Sequence, residues 1–338
     1  MKKISLLLIT LLLVSSCSKK AGLCKETRVI MGTYVTITLN ESGKSQDYLT
    51  KAASDAFAQI TKVDNLMSTY KPESNLSKIN QAAGVAPVPA DPEVIDVIEK
   101  ALYVSRLTDG AFDVTVGPLV NAWKIGSKDA RVPSPNEIKK ALALVGWQNI
   151  EIDKHAGTVF IKKRGASIDL GGIGKGYASD MAVRVLKKAG IKGGIVACAG
   201  DIKLFGLRPD GTPWTVGIQH PRKEYGALMA KLPLTDSAVS TSGDYERYFI
   251  KGGVRYHHIL DPRTGYPARG LMSVTVVSKE SWLSDSMGKL FVLGPEKAYA
   301  LALKHPEIEV LMITGAGKVL ATGRFKGLKV EPVEPDKK

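Results

Sequence analysis

The order in which periodicities follow one another along this chain constrains its fold more than any single motif. Residues 26–39 alternate with β-branched side chains, as in Val35-Thr36-Ile37-Thr38, and predict a first strand. Over 47–66, Leu49, Ala53, Phe57, Ile60, Val63 and Met67 recur at helical spacing, and Pro72 limits any extension. Asp91 and Pro92 cap and open a second helix to 107, with Val94, Ile95, Ile98, Ala101 and Leu102 on one face and Gly110 following as terminator. Ser134-Pro135-Asn136-Glu137 is a capping box that starts a short helix through 144, stopped at Gly146. The chain then turns β-rich. A hairpin is expected over 149–152 and 158–162, a strand over 167–170 and a helix over 176–188. Strands follow at 194–199, 202–207, 214–219 and 273–277, then a helix over 282–293 and a final helix and strand pair. This is neither a regular strand–helix alternation nor an all-β array, so the expected class is α+β, with mixed, largely antiparallel sheets and flanking helices. With 338 residues, 44% of them hydrophobic, the chain can bury a sizeable core. No linker rich in Pro, Gly or Ser divides it, so residues 28–328 read as one domain and 329–338, rich in Pro and Lys, as a frayed tail.

The start of the chain bears on compartment. Met1-Lys2-Lys3 and the apolar run 4–14 have the basic start and short apolar middle of a secretory signal ending at residue 16. A membrane helix needs roughly 20 apolar residues, whereas here Ser15, Ser16, Lys19 and Lys20 intervene. Val14-Ser15-Ser16-Cys17 resembles the bacterial lipobox, which makes Cys17 the expected lipidated N-terminus of a linker over 17–27; the alternative is a plain signal with an incidental cysteine. Each buried acyl methylene contributes about 0.8 kcal/mol, so several chains anchor firmly. The expectation is an exported, membrane-anchored lipoprotein facing the periplasm or cell exterior. A net charge of +14 suits anionic lipids and an anionic substrate. Nucleic acid is disfavoured by export and by the scattering of Lys and Arg without interleaved aromatics. Cys24 and Cys198 share no metal-type spacing, and Cys198 lies in an apolar strand as a core thiol.

The stretch Asp169-Leu170-Gly171-Gly172-Ile173-Gly174-Lys175-Gly176-Tyr177 reads as strand end, glycine-rich loop and helix start. Backbone amides and the helix N-terminus favour an anion there. The spacing fits neither the dinucleotide nor the Walker pattern, and a tight turn that needs glycine for packing is an equal reading. Phe112 beside Asp113 suggests either a ring stacked over a ligand or a core Phe and a capping Asp, and Tyr70 either a site residue or a half-buried helix exit. His257 and His258, adjacent on a strand, face opposite ways, so at most one enters a given cleft as a base near neutral pH. Asp285 near a helix start suits Mg²⁺ or simple capping.

Taken in order, Met31-Gly32-Thr33, Met67-Ser68-Thr69-Tyr70, Ala111-Phe112-Asp113, residues 169–177, Ser240-Thr241-Ser242-Gly243-Asp244-Tyr245, residues 258–265, and Asp285 with Phe291-Val292-Leu293-Gly294 resemble the FAD:protein FMN transferases, the ApbE family. The resemblance spans about 31–323 and implies that FAD is split and its FMN half esterified to a Ser or Thr hydroxyl of acceptor proteins of membrane redox complexes, releasing AMP. It implies a flavin nucleotide site lined by Met31, Tyr70, Ala111, Phe112, Asp113, Asp169 and Lys175 with Ile259 nearby, and Mg²⁺ held by Asp285 and a backbone oxygen of Gly172. His258 is the implied base. Many members carry a Thr ligand four residues after the metal aspartate; this chain has Lys289, which cannot ligate Mg²⁺ while charged. An Mg-dependent FAD pyrophosphatase and a non-catalytic flavin-binding lipoprotein are the competing expectations. Ile313-Thr314-Gly315-Ala316-Gly317 lacks the Asp and final hydroxyl of an acceptor motif, so other proteins are the expected targets.

Overall fold

The computed structural model describes residues 22–41 and 43–336; the signal segment and Cys17 lie outside the described residues. Where alternation predicts one strand over 26–39, the chain forms a hairpin of Gly22–Ile30 (β1) and Thr33–Glu41 (β2). The two-residue turn Met31-Gly32 has φ of 56° and 67°, the mirror-image turn whose twist matches a hairpin. β1 therefore begins inside the stretch expected to be a linker.

Gln46–Met67 (α1) has the expected buried face, and its N-cap Ser45 accepts from the Tyr48 amide. The short helix Asn75–Gln81 (α2) was not legible in the sequence, although Ser74 caps it. The two-residue strand Val88–Pro89 (β3) leads into Pro92–Leu107 (α3), capped by Asp91 as expected. Gly117–Trp123 (α4) and Pro135–Leu142 (α5) follow, the second with both capping-box hydrogen bonds formed. Ile150–Asp153 (β4) and Thr158–Ile161 (β5) make the expected hairpin. The strand expected at 167–170 does not form: both backbone groups of Ile168 bond the Asn80 side chain, at 2.8 and 2.9 Å, and the Asp169 amide bonds the Val114 carbonyl.

Gly174–Lys188 (α6), Gly194–Cys198 (β6), Asp201–Phe205 (β7), Trp214–Gln219 (β8), Leu228–Leu234 (β9), Ala238–Gly243 (β10), Tyr248–Lys251 (β11), Val254–His257 (β12) and Leu271–Ser278 (β13) come next. The helix expected over 282–293 is divided into Ser281–Met287 (α7) and a tighter 3-10 segment, Gly288–Leu293. Pro295–Lys304 (α8), Ile308–Thr314 (β14) and Val319–Ala321 (β15) complete the chain's regular structure.

Eight strands form one sheet in the order β1-β2-β6-β7-β10-β13-β14-β15, with every pairing antiparallel, as the expected fold class requires. Alternate residues of each strand face opposite sides. Val274, Val276, Val310 and Met312 pack with α1, α3, α6 and α7, while Val277, Leu311 and Ile313 pack with the β8–β9 ribbon. All eight residues of β13 are buried, because both faces of the sheet are covered. A smaller cluster of Leu119, Trp123, Ile138 and Ala141 lies against Phe249 and Tyr256 of the β11–β12 hairpin. The expected frayed tail is docked through Asp336: Val333 is buried, the Glu331 amide bonds Met229 and the Asp336 amide bonds Gly315.

Candidate active site

The glycine-rich loop is fixed by a close crossing of α6 and α7. A Cβ at Gly176 would run into the backbone carbonyl of Ser281, so only glycine lets the two helices meet. One turn further along α6, Asp180 accepts from the Ser281 amide at 3.0 Å and the Trp282 amide at 2.9 Å, capping α7 from outside its own segment. Lys203 pairs with Asp180 at 3.2 Å, both side chains being almost wholly buried. This cap sets the rotation of α7 and brings Asp285 to the start of α6, where its Oδ2 accepts from the Gly176 amide at 3.1 Å.

An anion was expected at this helix start, and the protein's own carboxylate fills that role. Four loop amides are engaged internally: Gly171 with Asp169, Ile173 and Gly174 with the Leu170 carbonyl, and Gly176 with Asp285. The side-chain cations beside the loop are two ammonium groups, each paired with a carboxylate. Lys175 pairs with Asp201 and stands 3.6 Å from Asp285 Oδ2. Lys289 Nζ donates to the Asp285 carbonyl at 3.0 Å and to Ser242 Oγ at 3.2 Å, and stands 3.5 Å from Asp285 Oδ1.

The charges stabilise one another. Burial pushes Asp285 up, but Lys175, Lys289 and the Gly176 amide outweigh it and hold the carboxyl below its ordinary range. Burial and the neighbouring Asp285 raise Asp201, against the pull of Lys175. Burial weakens Lys175 as a cation, yet Asp201 and Asp285 together make it hold its proton more tightly than usual.

His258 leaves β12 beside this cluster. Its burial, with the charges of Arg247 and Lys289, pushes it down to about 3, so the imidazole is neutral at working pH. Nδ1 lies 3.3 Å from the Arg247 carbonyl; the tautomer that satisfies this contact carries hydrogen on Nδ1 and leaves Nε2 as acceptor. The neighbouring His257 is structural, as strand alternation implied: Nε2 meets the Ala268 carbonyl at 2.8 Å and the ring packs edge-on to Phe291.

The other expected residues divide. Phe112 lies under the loop, since a Cβ on Gly172 would come 3.2 Å from its ring and 3.4 Å from Lys289 Cε. Met31, at the β1–β2 turn, reaches Gly174, and Asp169 holds the Gly171 amide at 2.7 Å within the field of Arg247. Ala111, next to Phe112 in the chain, is buried. Asp113 is a structural cap: it bonds the Thr115 amide and hydroxyl through one oxygen and the Trp147 amide through the other. Tyr70, expected to line the site or to be half buried, stands 91% exposed, and Ile259 is a core side chain rather than a lining one. Sequence reading missed Asp201, Ser242 and Arg247 as site residues. The signal for Asp201 was present, a carboxylate set between two apolar strands at a Gly200 turn. A cavity of about 790 Å³ between Arg28, Lys62, Lys78 and Asp91 includes none of these residues.

These groups do not present an open Mg²⁺ site at Asp285 and Gly172. Mg²⁺ demands several oxygens at about 2.0–2.1 Å in near-octahedral geometry. Here both Asp285 carboxylate oxygens, its carbonyl and Ser242 Oγ already face ammonium or amide hydrogens, and the Lys289 stem lies against Gly172. Of the expected ligand pair, Asp285 is here engaged by Lys289, Lys175 and the Gly176 amide.

The ApbE family model matches residues 31–312. A Vibrio cholerae protein named FAD:protein FMN transferase is 35% identical over 328 residues, covering 94% of this chain and 96% of the relative. The Escherichia coli K12 protein of the same name is 34% identical over 281 residues, 80% of each chain. Among solved structures, the Thermotoga maritima ApbE protein matches with a TM-score of 0.84 at 34% identity, covering 91% of this chain and 100% of that one. The apo flavinyl transferase ApbE of Pseudomonas stutzeri matches at 0.81 and 32% identity, covering 91% and 97%. By sequence over nearly its whole length, and by fold, the chain belongs to the ApbE family.

Proposed function

We propose that this chain splits FAD and transfers the FMN half to a Ser or Thr hydroxyl of an acceptor protein, releasing AMP. The names of the Vibrio cholerae and Escherichia coli relatives support the reaction class. The observation that carries the reading for this chain is the cluster itself: two ammonium groups, Lys175 and Lys289, beside a neutral imidazole that has a free ring nitrogen. A diphosphate resists an oxygen nucleophile because its charge repels it and because AMP leaves as an anion. Partly buried ammonium groups counter both effects. His258 Nε2 takes the acceptor's hydroxyl proton, the oxygen attacks the phosphorus nearer riboflavin, and the bond to the AMP oxygen breaks in line. Exposed Tyr70 offers a free aromatic face for the isoalloxazine, with Met31 and Phe112 nearer the phosphate end. No step is assigned to Mg²⁺, since the oxygens that would hold it are engaged by Lys289 and Lys175.

The lipobox at Cys17 and the preceding signal support export and a lipid tether, with acceptors that belong to membrane redox complexes. Among the described residues no helix is long and apolar enough to cross a membrane. The test is incubation of the chain with FAD and a purified exported acceptor. In-gel flavin fluorescence that survives denaturation, with AMP released in equal amount, is the expected result. Fluorescence lost on denaturing, with free FMN in solution, would mean that water takes the acceptor's place.

A further inference from the structure

Lys289 reaches Asp285, the carboxylate that the family resemblance assigns to a metal ion. Its ammonium has three oxygen neighbours, the Asp285 carbonyl at 3.0 Å, Ser242 Oγ at 3.2 Å and Asp285 Oδ1 at 3.5 Å. These come from two elements, α7 and β10, that Gly288 brings together: a Cβ there would stand 2.6 Å from Ser242 Oγ. The side chain retains 20% of its exposure, and its stem passes 3.4 Å from where a Gly172 Cβ would be. The ammonium therefore sits beside the buried carboxylate, with its stem against the glycine-rich loop. We propose that Lys289 is the built-in cation of this site, and that with Lys175 it binds the diphosphate of FAD without a divalent metal.

The argument is one of charge and room. Four of the loop amides, those of Gly171, Ile173, Gly174 and Gly176, are engaged inside the protein, so a bound anion is met chiefly by side-chain cations. Lys175 is paired with Asp201 and Asp285, and Lys289, equally exposed, is the second cation on Asp285, set against the opposite carboxylate oxygen. A divalent ion taking the same oxygens would have to displace Lys289 and would face its charge at a few ångströms. An ammonium carries its own charge into the site at every Mg²⁺ concentration, which makes FAD affinity insensitive to chelation.

The proposal rests on the FMN-transfer reading and is tested apart from it, by titrating the full chain against FAD and following flavin fluorescence or heat. Wild type should bind with the same affinity, within about twofold, in EDTA and in millimolar magnesium chloride. Lys289→Met, which keeps the stem and loses the charge, should bind about tenfold more weakly in both, as expected for one lost charge-assisted hydrogen bond to phosphate. Lys289→Ala, which empties the oxygen cage, should be weak in EDTA and recover with Mg²⁺. Wild-type binding that weakens about tenfold in EDTA, Lys289→Met binding like wild type, or Lys289→Ala indifferent to Mg²⁺ would each overturn the proposal. The wild-type comparison needs no variant to fold. Metal-free FAD binding without labelling of any acceptor would sink the transfer reading alone, and labelling that requires Mg²⁺ for FAD binding would sink this proposal alone.

Discussion

Gly176 shows how much of the site hangs on one absent methyl group. Its amide holds Asp285 while its missing Cβ admits the Ser281 carbonyl. Gly176→Ala should force the helices apart, at about 1–3 kcal/mol typical of overpacking, and loosen the Asp285 contact. Thermal unfolding should show the loss and FAD titration a weaker complex; an unchanged melt would mean the crossing is not tight. His258 gives a second expectation at this scale. Its folded pKa, about 3, lies below its unfolded value near 6.5. The stability it contributes is therefore complete above about pH 6.5 and is lost as pH falls toward about 3, since the unfolded chain takes up the proton first. His258→Gln should lose about 10²- to 10⁴-fold in transfer rate and show less acid destabilisation across that window. Wild-type kcat/KM for FAD should have no acid limb near pH 6.5; a limb there that disappears in the variant would show an imidazole of ordinary basicity. Strand alternation alone said that at most one of the two histidines enters a cleft; the choice of His258 came from the family resemblance. Asp201 was not assigned, because its role exists only once β7 lies beside α6.

Elements were legible where the chain carries its own signals and illegible where a partner supplies them. The capping box at Ser134 and the Asp91-Pro92 start both form as read, because the cap and the helix are contiguous. Residues 167–170 have the side-chain pattern of a strand, yet Asn80, nearly ninety positions away, takes the hydrogen bonds a ladder would use. α7 depends on such a remote signal throughout. Its Glu280 cap residue makes no side-chain cap, and Asp180 substitutes for it across the helix crossing. Asp180→Ala should remove that cap and strand Lys203 in the interior, costing about 3–5 kcal/mol as broken buried pairs do. Combining it with Lys203→Met should cost less than the sum of the two single changes, measured by denaturant unfolding. Additive losses would show that the cap, not the ion pair, carries the effect.

At the scale of the whole molecule, the two faces of the eight-stranded sheet serve different ends. The helical face carries Lys175, Asp285 and Lys289, and the other face is closed by the β8–β9 ribbon and the C-terminal segment. The Pro and Lys content of that segment suggested fraying because composition reports what a segment cannot do alone, not what it docks against. Its anchor is Arg222, which meets Asp336 at 2.7 and 3.0 Å and Asp244 at 2.8 Å through both terminal nitrogens. Asp244 also takes Arg255 at 3.2 Å, at the base of the β11–β12 hairpin from which His258 emerges. Deleting residues 331–338 should destabilise the chain, by about 1.5–3 kcal/mol from the lost burial of the Val333 side chain alone. Below the lowered melting temperature it should leave FAD affinity and transfer rate near wild type, because Arg222 keeps Asp244. Arg222→Met should do the reverse at the site: with Asp244 unclamped, transfer should slow while FAD affinity, carried by the lysines, holds. Equal loss of affinity and rate in Arg222→Met would show that the hairpin orients the diphosphate as well as the base, and would join the two faces of the sheet into a single binding unit.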